Sequence, residues 1–71
     1  MGLMSILERM HQNRLSELRG MNEYYEEKLR TDLEEWEKRE YEIVLADNKR
    51  NLKDLQSLVQ FCKENGYYDT V

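Results

Sequence analysis

The sequence predicts an all-α fold: a helical hairpin or three-helix arrangement with coiled-coil-like packing, completed by self-association. Three observations carry this reading. No proline interrupts the 71 residues. Glu, Leu, Lys, Arg and Met, all good helix formers, dominate the chain. Apolar residues recur at three- and four-residue spacing along most of it, and the single strand-like run, Tyr41-Glu42-Ile43-Val44-Leu45, is short and flanked by helical pattern.

The first helix is expected over about 6–19. Ser5 followed by Glu8 reads as a capping box, the hydroxyl accepting from the Glu8 backbone N–H. Gly20 supplies a stop, with Arg19 suited to the carbonyl end of the helix dipole. Asn22 then caps a second helix over about 23–46, whose apolar positions Tyr25, Leu29, Leu33 and Trp36 are spaced 4, 4 and 3. Opposite charges at i, i+4 (Glu26–Arg30, Glu34–Lys38, Glu35–Arg39) flank that narrow stripe.

Asp47 and Asn48 suggest a break before a third helix over about 49–64. Across that break Tyr41, Leu45, Asn48, Leu52, Leu55, Val59 and Cys62 keep strict 4,3 spacing, the seam of a heptad, and Val44 and Leu58 widen it. Asn65-Gly66 is a strong stop, from which Tyr67 can fold back on Phe61 or Cys62. Residues 1–66 thus read as one helical domain and 67–71 as a tail. A hairpin turning at Asp47 is favoured over one long rod, because Asp-Asn-Lys-Arg-Asn is the least helix-prone interior window.

Composition bounds the function. Charged residues make up 37% of the chain, and Leu, Ile, Val and Phe are few for a self-sufficient core. A dimer built through Tyr25, Leu29, Leu33, Trp36, Tyr41, Leu45, Leu52, Leu55 and Val59 is therefore the expectation. The net charge is −4, concentrated in residues 23–47, where ten acids meet Lys28, Arg30, Lys38 and Arg39. Such a block disfavours direct nucleic-acid binding and suits a basic protein partner. One cysteine excludes an internal disulfide and fits a reducing, cytoplasmic setting. No apolar run is long enough for a membrane span.

Residues that could carry chemistry have plainer explanations. Glu8-x-x-His11 is half of a di-iron carboxylate pattern, but Glu8 belongs to the cap and His11 is the sole histidine. Cys62 sits on the seam and reads as a small apolar side chain. Gly2 would suit acylation, except that Ile6 stands where Ser or Thr is required. Met1, Leu3, Met4, Ile6, Leu7 and Met10 form a Met-rich apolar patch. The terminal Asp-Thr-Val is a weak match to carboxylate-gripping peptide-binding domains. No cofactor, metal or catalytic residue is expected. The functional expectation is a small non-enzymatic helical interaction module or regulator, with Tyr24, Glu34, Glu35, Tyr67 and Tyr68 as contacts for a second partner. An alternative is an acidic, DNA-like inhibitor that occupies the basic groove of a nucleic-acid-binding protein.

Overall fold

The computed structural model describes residues 4–69. Two helices, α1 (Ile6–Leu29) and α2 (Glu35–Glu64), pack side by side as an antiparallel hairpin measuring 53 × 20 × 13 Å. The expected all-α hairpin is present, but its elements differ from those expected. Two long helices replace three, and the chain reverses at residues 30–34, inside the segment expected to be the second helix.

α1 begins as the sequence predicts, with the Glu8 N–H donating to Ser5 Oγ at 3.0 Å. It does not stop at Gly20. That residue lies on the outer surface, with nothing within 4 Å of where a Cβ would stand, so the helix passes through at about 1 kcal/mol relative to alanine. Asn22, expected as a cap, sits in mid-helix and faces α2.

The turn is built by residues whose side chains compete for backbone hydrogen bonds. Arg30 ends α1, and the Thr31 hydroxyl donates to the Lys28 carbonyl at 2.6 Å, as does the Thr31 N–H at 3.0 Å. Glu34 caps the start of α2: its backbone N–H donates to Glu37 Oε1 at 3.3 Å while its carbonyl accepts from the Lys38 N–H at 2.9 Å. Glu35 and Glu37 place negative charge in that first turn, the sign the dipole favours.

No break occurs at Asp47 or Asn48. Asn48 is buried, and its Nδ2 donates to the Leu18 carbonyl at 2.9 Å and to Asn22 Oδ1 at 2.6 Å. Partners across the interface outweigh the low helix propensity of this window, and α2 runs on for 30 residues. Its end matches expectation. Gly66 adopts φ 70°, the Tyr67 N–H donates to the Cys62 carbonyl at 2.9 Å, and the Gly66 N–H reaches the Lys63 carbonyl at 3.4 Å. This is a Schellman stop, and Tyr67 packs on Phe61 with ring centroids 5.7 Å apart.

The interface is a double seam. On α2 all seven heptad positions from Tyr41 to Cys62 are buried or half-buried, and on α1 so are His11, Leu15, Leu18, Asn22, Tyr25 and Leu29. Leu15, Val59, Cys62 and Tyr68 form the core near the open end, with Leu52 and Leu55 against it. Within the expected tail Tyr68 docks on the hairpin: it is 7% exposed and its hydroxyl lies 2.6 Å from His11 Nδ1, closing the end of the hairpin.

Candidate interaction surface

Heptad positions describe the two sides of the hairpin. With the seam at a and d, Glu26 of α1 and Lys49 of α2 both fall at e, and they form an ion pair at 3.4 Å across the helices. In an antiparallel pair e faces e and g faces g. The hairpin therefore has an e/b side and a g/c side, and the two are unlike.

The e/b side of α1 carries Arg9, Gln12, Ser16, Arg19, Glu23 and Glu26. That of α2 carries Arg39, Glu42, Ala46, Lys49, Lys53, Gln56, Gln60 and Lys63. No large apolar side chain stands there. On the g/c side Leu7, Met10, Met21 and Tyr24 of α1 and Val44, Leu58 and Phe61 of α2 are all exposed, Met10 at 62% and Phe61 at 51%. They alternate along α1 at three- and four-residue spacing with Arg14, Glu17 and Lys28. Arg14 and Glu17 pair at 3.2 Å in the middle of the stripe, and the Lys28 ammonium lies 5.6 Å from the centre of the Tyr24 ring.

Near the turn this side opens into a groove of about 310 Å³ lined by Tyr25, Trp36, Glu37, Glu40, Tyr41 and Val44. Tyr25 and Tyr41 meet across the helices with centroids 6.1 Å apart. Three aromatic rings and two carboxylates around one depression favour a cation, through charge and through the negative faces of the rings.

The residues expected to join two chains are divided by the fold. Leu45 and Val59 are buried within the hairpin, and Tyr25, Leu29, Tyr41, Leu52 and Leu55 are half-buried there. The stripe Tyr25, Leu29, Leu33, Trp36 does not survive as one face: Leu33 lies in the turn and Trp36 is 61% exposed on the first turn of α2. Tyr24 and Tyr67 are exposed, Glu34 and Glu35 stand exposed at the start of α2, and Tyr68 is interior. Glu26 binds Lys49 rather than Arg30. Among the described residues only Arg14–Glu17 and Glu26–Lys49 come within ion-pair distance, so Glu34–Lys38 and Glu35–Arg39 are not formed.

His11 and Cys62 belong to the closed end. Burial, then the Cys62 thiol and the Glu8 carboxylate, push the Tyr68 hydroxyl up to about 12, so it keeps its proton at neutral pH. The His11–Tyr68 bond thus occupies one ring nitrogen of the only histidine. No group of three or more His, Cys, Asp or Glu among the described residues is arranged to hold a metal ion. The Gly2 acylation reading, the Met1 and Leu3 part of the apolar patch, and the Thr70-Val71 end of the terminal motif lie outside the described residues.

Val44 and Leu58 are visible in the sequence as a widening of the seam, and Leu7 and Met10 as part of a patch. Met21 and the continuity of the stripe are not, although its signal is present as 3,4 spacing from Leu7 to Lys28. Comparison with known proteins finds no matching family model, no matching curated protein and no matching solved structure.

Proposed function

We propose that this chain is a non-enzymatic helical interaction module that self-associates as a homodimer through the g/c side of its hairpin. The observation that supports this reading is the asymmetry of the two sides: seven exposed large apolar residues on one and none on the other, with Ile6, Trp36 and Ile43 exposed on the outer face between them. These residues form two apolar clusters, Leu7, Met10, Leu58 and Phe61 near the open end and Met21, Tyr24 and Val44 nearer the turn, and exposed apolar clusters on a small chain suit a surface that meets another polypeptide. Its aromatic and Met content suits an interface core. The free, buried Cys62 is compatible with a reducing cytoplasmic setting, and no helix among the described residues is long and apolar enough to cross a membrane.

Paired substitutions on the two sides test the assignment. Met10→Glu with Phe61→Glu should abolish association while circular dichroism still reports a helical hairpin. Ser16→Glu with Gln60→Glu, on the opposite side, should leave association intact. Equal effects from both pairs would count against the g/c side.

A further inference from the structure

Self-association through the g/c side admits two twofold arrangements, and charge separates them. An axis running along the hairpin puts both turns at the same end and sets α1 of each copy against α2 of the other. An axis across the hairpin puts the turns at opposite ends and sets α1 on α1 and α2 on α2. On this side α1 carries Arg14 and Lys28 with Glu17, whereas α2 carries Glu37, Glu40, Asp47 and Asp54 and no base. Laying α2 on α2 would bring Asp54 of one copy near Asp47 of the other, with like charges meeting twice across the axis.

The lengthwise axis does the reverse. It leaves each residue at its own height, so α1 of one copy meets α2 of the other in the register already set by Asn22 opposite Asn48. Counting from that contact, Arg14 reaches the level of Asp54 and Leu58. Met10 comes to Leu58 and Phe61, Tyr24 to Val44, and Lys28 to Glu40. Met10 and Tyr24 meet apolar side chains and each cation meets a carboxylate, while Met21 comes level with Asp47 and Asn51, and Glu17 comes level with Asp54 so that Arg14 stands between two carboxylates. Lys28 also arrives at the groove whose walls are Tyr25, Trp36 and Tyr41 and whose rim holds Glu37 and Glu40.

We infer that two copies form a four-helix bundle with both turns at one end, in which Lys28 of each chain enters the aromatic and acidic groove of the other and Arg14 pairs with Asp54. This rests on the self-association proposed above. The cation in the groove gains from carboxylate and ring faces together, a combination the e/b side does not offer. Oppositely charged surfaces also specify one mutual orientation of faces that apolar contact alone would leave free.

The test measures mass by light scattering and the distance between spin labels at Asp32→Cys in a Cys62→Ala chain, with circular dichroism confirming helicity. In the inferred arrangement the labels lie within about 25 Å, a little over two helix diameters. In the crossed arrangement they lie about 45 Å or more apart, the length of a 30-residue helix. In the unlabelled chain Lys28→Glu should weaken dimerisation about tenfold at low salt, and adding Glu40→Lys should restore it. A chain that stays monomeric overturns both the arrangement and self-association itself. A dimer with the long distance, or one that Lys28→Glu tightens, overturns the arrangement alone. A dimer with the short distance and a restored double variant supports it.

Discussion

Asn48 and Asn22 meet in the middle of the hairpin, the amide of one donating to the carbonyl oxygen of the other at 2.6 Å. The same Asn48 Nδ2 also serves the Leu18 carbonyl at 2.9 Å. Leu15 and Leu18 lie on one side of this layer and Leu45 on the other, all buried. A polar pair in an otherwise apolar seam costs stability but sets register, because sliding α1 past α2 by one turn would bury both amides without partners.

Asn48→Ala is therefore expected to destabilise the chain by about 1–3 kcal/mol, since it removes two hydrogen bonds and leaves the Asn22 amide oxygen short of a donor. Thermal unfolding followed by circular dichroism checks it. An unchanged midpoint would mean that the amide layer carries no stability.

Gly20 and Gly66 should respond in opposite ways to alanine. At Gly20 an added methyl meets nothing within 4 Å, so Gly20→Ala should raise stability by about 0.5–1 kcal/mol through helix propensity. At Gly66 the backbone holds φ 70°, and the new Cβ would stand 2.9 Å from Asp69 Oδ2. Gly66→Ala should cost about 1 kcal/mol or more and loosen the Tyr67 and Tyr68 end. Chemical denaturation of the two variants checks the contrast in sign.

Alkaline pH should open the far end of the hairpin. Burial, then Cys62 and Glu8, raise the Tyr68 hydroxyl from 10.0 to about 12, so the folded state favours the protonated phenol. Its contribution is fully present below pH 10 and is lost as pH climbs from 10 through 12, because the unfolded chain releases this proton more readily. The thermal midpoint of the native chain should fall faster over that window than that of Tyr68→Phe. Parallel curves would show that Tyr68 ionisation is not linked to folding.

Local chemistry made the ends of the hairpin legible in the sequence. Ser5 with Glu8 and Asn65 with Gly66 act within one or two turns: the Ser5 hydroxyl caps the Glu8 N–H, though without the return bond of a full capping box, and Gly66 ends α2. The α2 seam from Tyr41 to Cys62 was readable for the same reason, since a heptad is a property of one helix. The turn was not. Thr31-Asp32 and Asp47-Asn48 carry similar helix-breaking tendencies, and the choice between them was made by the partner helix. With the turn at 30–34, α1 and α2 are long enough to cover each other, and Asn48 finds Leu18 and Asn22. A turn at 47 would have cut the strongest seam in the chain. The interaction side was half-legible: its 3,4 spacing is present along α1, but which of two adjacent stripes the hairpin would consume depends on packing between helices.

The central claim is that the g/c side is covered by a second copy, and the molar mass of the unmodified chain in solution tests it most directly. Light scattering on a dilution series should give twice 8.7 kDa at high concentration, falling toward 8.7 kDa as the protein is diluted. A mass of 8.7 kDa at every concentration, with helicity intact, would contradict it.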